Sequence, residues 1–269
     1  MKYQNLIEEH DGKVAILTLN RPEKLNALSH KLIEEFSQAL RSLKDDQKTR
    51  VVIIKGAGRA FSVGYDISNE ERGQHTPKSV VEDWANWRSI TEHWMEVWDY
   101  PKPVIAQIHG YCLAGASQLA VLCDLTFIAD DAQIGTPSLP IGGGFISPMW
   151  SWLVGPKRAK EMSFMPGRRI SGKEAEQWGW ANRAFPAGEL ETEVRSIAHH
   201  VAKVSPDVLR IKKMAINRVM DVQGFRESVF FGSEWDTILH YSPAIEELNE
   251  LLKEVGTKEA IRKWQESGS

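Results

Sequence analysis

The stretch at residues 103–144, PVIAQIHGYCLAGASQLAVLCDLTFIADDAQIGTPSLPIGGG, decides the fold class. An apolar run leads through small residues at 114–117 into a helix-like segment, a second apolar run and a glycine-rich loop at 142–144. A turn of small residues before a helix can aim unpaired backbone N–H groups at an anion or oxyanion, and lets a ligand approach the backbone closely. A plain tight turn has the same pattern, so this stretch alone leaves both interpretations open.

Composition narrows the class of protein. The chain has 269 residues, of which 42% are hydrophobic and 26% charged, as is typical of a globular protein with a sizeable core. A formal net charge of -3 gives no indication of nucleic-acid binding, and no apolar run is long enough to span a membrane. Residues 1–5 are polar and lack the apolar core of a secretion signal.

The cysteines and histidines exclude two further classes. Cys112 and Cys123 are the only cysteines, which is too few for a disulfide framework and favours a reducing, cytoplasmic location. The sequence has no C-x-x-C motif and no histidine pair at metal-ligand spacing, so we expect no metal site.

Strand-like and helix-like segments alternate in the first part of the chain. Apolar runs predict strands at 14–19, 51–54, 103–108 and 125–129, with helices at 29–43, 80–99 and 115–123. This alternation predicts an α/β fold with right-handed β-α-β crossovers. Residues 68–79 are polar, contain Gly73 and Pro77, and are predicted to form a mobile loop. From residue 156 onward the pattern is mainly helical.

Four ordered segments carry a resemblance to a known family. They are NRPEKLNAL at 20–28, FSVGYDI at 61–67, residues 102–124 and residues 155–179. Over nearly its whole length the chain resembles the enoyl-CoA hydratase/isomerase (crotonase) superfamily. The resemblance implies an α/β core built as a β-β-α superhelix at 1–188, which holds the acyl-CoA site. It also implies a C-terminal helical region at 189–269 that caps the active site and assembles trimers, often paired into hexamers.

The resemblance also implies a substrate and a site. The substrate would be an acyl-CoA thioester, with coenzyme A as part of the substrate and no separate cofactor. Matched by motif, the backbone N–H groups of Tyr65 and Gly115 would form an oxyanion hole, and each such donor contributes about 3–4 kcal/mol to transition-state stabilisation. The resemblance places substrate-binding residues at Lys24, Leu25, Ala27, Ser62, Gly64, Asp66, Ile67 and Leu113. Lys24 is the residue that could meet a phosphate.

The chain departs from the family at its acid/base positions. Hydratases of the family carry two glutamates, where this sequence has Gln118 and Ser138. An amide has no proton to exchange and an unactivated serine is a poor base, so simple hydration of an enoyl-CoA is doubtful. Two other acid/base positions of relatives hold Ile146 and Thr91. Gln118 and Ser138 stay candidates for positioning water or for hydrogen-bonding an acyl substituent. The other candidates are Asp66, for which a structural role is favoured, the side chain of Tyr65, and three residues of the 80–99 helix: Glu92, His93 and Glu96.

A stripe of aromatic residues allows two interpretations. Trp84, Trp87, Thr91, Trp94 and Trp98 follow a 3-4-3-4 spacing, which places them on one face of a helix. The spacing favours a core or subunit-packing face. The other interpretation is a wall, completed by Trp150 and Trp152, for an aromatic or alicyclic acyl group.

Two functional hypotheses remain open. In the first, the chain is an enzyme that stabilises a thioester enolate and acts as a variant lyase, isomerase or β-keto hydrolase. In the second, it is a catalytically retired protein that binds acyl-CoA or a partner protein. Turnover of an enoyl-CoA would separate them.

Overall fold

Two sheets organise the computed structural model, which describes residues 3–74, 77–142 and 146–267. Across the larger sheet the strands, numbered in chain order, are β1 (Leu6–Asp11), β2 (Val14–Leu19), β3 (Val51–Gly56), β4 (Val104–Ile108), β6 (Leu125–Ala129) and β9 (Arg183–Phe185). β1 and β2 are antiparallel, and each later neighbouring pair is parallel. The smaller sheet has the order β5 (Tyr111–Leu113), β7 (Gln133–Gly135) and β8 (Arg169–Ser171).

The helices of the described residues follow or connect these strands. They are α1 (His30–Lys44), α2 (Asn69–Gln74), α3 (Val80–Trp98), α4 (Gly115–Leu122), α5 (Ile146–Phe164), α6 (Gly172–Trp178), α7 (Leu190–Val201), α8 (Pro206–Val222), α9 (Phe225–His240) and α10 (Pro243–Ser267). Backbone breaks at Gly155 and Gly256, with φ near +75°, divide α5 and α10 into two parts each. No described helix is long and apolar enough to cross a membrane.

The sequence predicted the main alternation but missed short elements. The loop predicted at 68–79 is wrong for Asn69–Gln74, which form α2. Acidic residues in the first turn, Glu70 and Glu71, favour a helix there because they complement its dipole. The three-residue strands β5, β7, β8 and β9 are too short to show a two-residue periodicity.

The central strands are covered on both faces. All six residues of β2 are buried, which explains its continuous apolar run VAILTL. On one side α1 contributes Leu32, Phe36 and Leu40 to the core, and its start is capped by Ser29, whose Oγ accepts a 3.2 Å hydrogen bond from the Leu32 N–H. On the other side α7 packs against β3, β4 and β6. The parallel sheet is therefore a rigid base for the loops at its strand ends.

Asn26 fixes the first of these loops. Leu25 and Asn26 both have positive φ, 51° and 55°, and the Asn26 side chain is fully buried. Its Oδ1 accepts a 2.8 Å hydrogen bond from the Arg21 N–H, and its Nδ2 donates 2.8 Å hydrogen bonds to the carbonyls of Ala57 and Ala60. One amide therefore holds the segment after β2 against the segment after β3.

We expect Asn26→Ala to lower the free energy of unfolding by about 3 kcal/mol, because three buried backbone groups lose their partner. The measurement is urea unfolding of the variant beside wild type. Asn20→Ala is the matched control, since the Asn20 side chain makes none of these contacts, and its effect should stay within about 0.5 kcal/mol. Equal losses in the two variants would contradict the role assigned to Asn26.

Candidate active site

Two loops meet at Gly64 and Gly115. Tyr65 pairs with Leu28 in an isolated parallel bridge, in which the Leu28 N–H donates to the Gly64 carbonyl at 2.8 Å. Gly64 has φ +91°, and a Cβ at this position would lie 2.8 Å from Ala114 Cβ and 2.9 Å from the Gly115 nitrogen. Only glycine allows this contact, so the two loops lie backbone against backbone.

Gly115 is the first residue of α4, and the residue before it is strained. Ala114 has φ 50° and ψ -125°, a conformation that costs a non-glycine residue energy. It is held by its N–H, which donates to the Gly135 carbonyl at 2.9 Å, and by its carbonyl, which accepts a 2.7 Å hydrogen bond from Ser117 Oγ. Buried Trp150 in turn donates from Nε1 to Ser117 Oγ at 3.1 Å. These contacts fix the direction of the Gly115 N–H.

The backbone N–H groups of Tyr65 and Gly115 lie at this junction. Within residues 3–74, 77–142 and 146–267, neither the Tyr65 nor the Gly115 N–H donates a hydrogen bond. The Gly115 N–H also lies at the positive end of α4. The predicted pair of donors therefore lies on two loops that the structure brings together, in an arrangement able to stabilise a developing oxyanion.

The Tyr65 side chain covers the start of α4. A Cβ on Gly115 would lie 2.5 Å from Tyr65 Cε2, so the ring rests directly on the glycine. The Tyr65 hydroxyl donates a 2.5 Å hydrogen bond to Gln118 Oε1 and accepts a 2.9 Å hydrogen bond from Trp94 Nε1. Gln118 and Trp94 are both 1% exposed, so the hydroxyl lies between two buried partners. The position that carries a glutamate in hydratases is thus engaged by a tyrosine.

Burial raises the pKa of Tyr65 above its usual range, the hydrogen bond from Trp94 acts in the opposite direction, and the negative charge of Asp236 raises it further. The hydroxyl is therefore neutral at physiological pH. It can donate a hydrogen bond but does not act as a base.

Among the described residues, the contacts of Ser138 and its neighbours are with Gly167 and α10, and not with Tyr65 or Gln118. Its Oγ is 4.0 Å from the Cβ position on Gly167, and the Gly167 N–H donates to the Pro137 carbonyl at 2.8 Å. The next residue, Leu139, is buried against Leu252 and Ala260 of α10. Gly143 and Gly144 of the predicted glycine-rich loop, and the side chain of Ile146, lie outside the described residues.

The predicted substrate-binding residues lie on three adjacent segments: the one after β2, the Gly64 loop and the end of β5 before Gly115. The Val63 N–H donates to the Leu25 carbonyl at 3.2 Å, Arg21 NH1 donates to the Ala27 carbonyl at 2.6 Å, and the Leu113 N–H donates to the Ser62 carbonyl at 3.1 Å. The Ser62 hydroxyl also accepts a 3.2 Å hydrogen bond from the Gly64 N–H. Ile67 continues the chain after Asp66.

Asp66 has charged partners of its own. Its Oδ2 accepts a 2.8 Å hydrogen bond from Arg21 NH2 and lies 3.7 Å from Lys24 Nζ, which is also 3.6 Å from Glu70 Oε2. Although burial acts to raise it, hydrogen bonds from Ser68 and Arg21 hold the pKa of Asp66 below its usual range. Asp66 is therefore an ionised anchor between the Gly64 loop and the segment after β2, and Lys24 lies at the exposed edge of that segment.

The tryptophan stripe is divided between core and site. Thr91, Trp94 and Trp98 are buried, whereas Trp84 is partly exposed and lies beside Arg88. Trp87 meets the Tyr65 ring edge-on at a centroid distance of 5.0 Å. Trp150 and Trp152 pack against Trp180 and Phe225 respectively. Trp94, Trp98 and Trp150 therefore belong to the core. Trp87 packs on the ring of Tyr65, and Trp94 contacts the hydroxyl of the same residue.

The polar candidates of α3 do not contact Tyr65. His93 Nδ1 is 3.0 Å from Ser37 Oγ on α1, Glu96 pairs with Arg41 of α1, and Glu92 Oε1 lies 3.4 Å from Arg88 Nε. Sequence reasoning missed two polar residues of α9, Asp236 and His240. Their four-residue spacing on one helical face was a signal that could have identified them.

Comparisons with known proteins show the family and the fold of this chain. A family model described as enoyl-CoA hydratase/isomerase matches residues 9–230. A Mycobacterium tuberculosis protein named a probable enoyl-CoA hydratase is 32% identical over 226 residues, which cover 82% of this chain and 84% of the relative. The crystal structure of an enoyl-CoA hydratase/isomerase from Xanthobacter autotrophicus Py2 aligns with a TM-score of 0.91 at 32% identity, covering 99% of each chain. An enoyl-CoA hydratase from Mycobacterium smegmatis aligns with a TM-score of 0.89 at 27% identity, covering 98% of this chain and 94% of that one.

We expect Tyr65→Phe to lower the free energy of unfolding by about 1–3 kcal/mol at pH 8, because Gln118 Oε1 and Trp94 Nε1 lose a buried partner. The gap to wild type should narrow at alkaline pH. Tyr65 ionises near pH 10 in the unfolded chain but not in the folded one, so wild type alone loses stability from this group, by about 1.4 kcal/mol at pH 11. Urea unfolding at pH 8 and pH 11 measures both effects. An unchanged gap would show that the pKa of Tyr65 is not raised.

Proposed function

Because the chain belongs to the enoyl-CoA hydratase/isomerase family, we propose that it binds an acyl-CoA thioester and stabilises the enolate of that thioester at the N–H groups of Tyr65 and Gly115. The observation that carries the proposal is the contact between Gly64 and Gly115, which brings both donors to one place. An enolate concentrates negative charge on the thioester oxygen, and two fixed donors in a water-poor site stabilise that charge without reorganising.

The reaction that follows is not simple hydration in this proposal. Hydration needs one group to remove a proton from water and another to deliver one to the α-carbon. Gln118 accepts the Tyr65 hydroxyl hydrogen bond, and Ser138 Oγ makes no hydrogen bond with the described residues. We therefore favour a variant lyase, double-bond isomerase or β-keto hydrolase, which share enolate formation as a step.

A catalytically retired acyl-CoA-binding or partner-binding protein is the second candidate function. The replacement of both glutamates by Gln118 and Ser138 favours it. The strained backbone of Ala114 favours catalysis instead, because residues in such conformations cluster at active sites.

In this proposal the coenzyme A portion of the substrate lies along the segment after β2 and along the Gly64 loop. Lys24, at the exposed edge beside Asp66, would contact a phosphate of coenzyme A, and the backbone of Leu25 and Ala27 would border the coenzyme A portion of the substrate. No separate cofactor or metal takes part. The buried, unpaired thiols of Cys112 and Cys123 fit a reducing cytoplasm.

Self-association is also part of the proposal, as a homotrimer or a dimer of trimers. Val208, Ile211, Val219 and Val222 of α8 are exposed and recur at helical spacing, which gives the helix an apolar outer face. Phe231, Trp235 and Ile238 form a similar exposed face on α9. Contiguous apolar surface of this kind commonly marks a subunit interface. These helices fall in residues 189–269, the region to which we assign assembly and capping.

We expect Gly115→Pro to abolish turnover of the thioester on which wild type is active, because the substitution removes one oxyanion donor. A panel of enoyl-, β-keto- and branched acyl-CoA thioesters, analysed by mass spectrometry for product, identifies that thioester. Calorimetry measures binding of the same panel.

Gly115→Ala is the control, since it adds a similar clash with the Tyr65 ring but keeps the N–H. It should retain at least about tenfold more activity than Gly115→Pro, given that one donor is worth about 10²–10³ in kcat. Binding without any turnover would favour the retired protein, and no binding of any thioester would contradict the proposal.

The assembly is tested by charge on the outer face of α8. We expect the double variant Ile211→Asp, Val219→Asp to sediment as a smaller species than wild type, because the apolar face can no longer be buried. Analytical ultracentrifugation is the measurement. Arg210→Asp, exposed on the same helix, should leave the sedimentation coefficient unchanged. A monomeric wild type would contradict the proposed trimer.

A further inference from the structure

We propose that Asp236 is the catalytic carboxylate that removes the α-proton of the bound thioester and returns it. This inference rests on the proposed function, since it names the proton-transfer partner of the Tyr65–Gly115 oxyanion site. Each acid/base position that the family motifs identify holds a non-acid in this chain, and Asp236 lies on a helix that those motifs do not reach.

Asp236 is placed on the inward face of α9. It is 4% exposed, and its neighbours on that face, Ser233 and Thr237, are also buried. Trp235 and Ile238 occupy the outer face of the same helix. A carboxylate is rarely buried in the middle of a helix without a structural or chemical role, because removing its charge from water is costly.

The carboxylate of Asp236 lies against the loop that follows Ser138. A Cβ on Gly142 would lie 3.4 Å from Asp236 Oδ1 and 3.9 Å from its Cγ. These are ordinary van der Waals distances, so the Asp236 carboxylate lies directly beside the loop at Gly142. Gly142 follows Ser138 by four residues, so Asp236 of α9 and Ser138 border the same loop.

The seam between α3 and α9 connects Asp236 with the oxyanion loop. Trp87 of α3 packs edge-on against Tyr65 and also lies beside His240 of α9, at a centroid distance of 5.6 Å. His240 Nδ1 is 2.8 Å from Asp83 Oδ2, which fixes the imidazole. His240 lies one turn beyond Asp236 on the same face of α9. The inward face of α9 therefore looks onto the Tyr65–Trp87 pair.

The negative charge of Asp236 affects the pKa of the Tyr65 hydroxyl. Burial is the main cause of the raised pKa of Tyr65, and the charge of Asp236 adds to it. The neutral hydroxyl cannot take the α-proton, whereas an ionised carboxylate can.

The proton balance of the step is closed. An oxygen of Asp236 forms a bond to the α-proton as the Cα–H bond breaks, and that electron pair moves into the enolate, whose oxygen is held by the Tyr65 and Gly115 N–H groups. Return of the proton from Asp236 to the α-carbon regenerates the thioester. In D₂O the carboxyl exchanges its proton, so the returned atom is deuterium.

The test is α-proton exchange in D₂O with butyryl-CoA and phenylacetyl-CoA as probes, followed by mass spectrometry. We expect wild type to incorporate deuterium and Asp236→Asn to do so at least about 10²-fold more slowly, the usual contribution of a positioned acid or base. The affinity of Asp236→Asn for both probes, measured by calorimetry, should stay within about threefold. Glu234→Gln is the matched control, since it makes the same charge change on the exposed face of α9.

Two further readings keep the outcomes distinct. Asp236→Glu keeps a carboxylate and should recover part of the exchange rate, and thermal unfolding shows whether Asp236→Asn is folded. Exchange at the wild-type rate in folded Asp236→Asn overturns the assignment of Asp236 but not the enolate function. A wild-type protein that binds the probes without exchange overturns the enolate function itself, and the assignment with it. A parallel loss of binding and exchange in a folded Asp236→Asn also overturns the assignment, because it would show a structural role.

Discussion

The close approach of Gly64 to the first N–H of α4 is the constraint on which the site depends. No side chain separates the two loops, so two backbone donors from distant parts of the sequence lie at one junction. The sheet supports this approach from below, Asn26 holds the first loop in place, and Ser117 with Trp150 fixes the second. Electrostatic stabilisation of this kind needs donors that do not move during the reaction. The rigidity of the surrounding packing therefore serves the chemistry directly.

Tyr65 changes what can happen at that junction. Its backbone supplies a donor, while its ring covers Gly115 and its hydroxyl engages Gln118. The Tyr65 hydroxyl thus contacts the residue that stands at one of the two glutamate positions expected from the family resemblance. Its neutral phenol, held between Gln118 and Trp94, is a hydrogen-bond donor in a site without a motif-encoded base. We propose that the Tyr65 and Gly115 N–H groups supply electrostatic stabilisation, and we assign proton transfer to a residue of a different helix.

The sequence predicted the family and the α/β class, because these depend on contiguous motifs. Its motifs also singled out Gly64 and Gly115, which the structure places side by side. The burial of Trp94 and Trp98 also followed from helical spacing. The tyrosine–glutamine hydrogen bond and the position of Asp236 could not be predicted, because both depend on packing between segments far apart in the chain. The three-residue strands were not predicted for another reason: they form because neighbouring strands pair with them, and not because of a local sequence pattern.

The central claim is that the thioester oxygen accepts hydrogen bonds from both loops. Difference infrared spectroscopy of a bound thioester labelled with ¹³C at its carbonyl tests this claim most directly. Two strong donors polarise the C=O bond, so we expect its stretching band to move to lower frequency on binding than in water. A band at or above its frequency in water would show that the carbonyl lies outside the Tyr65–Gly115 junction and would contradict the account.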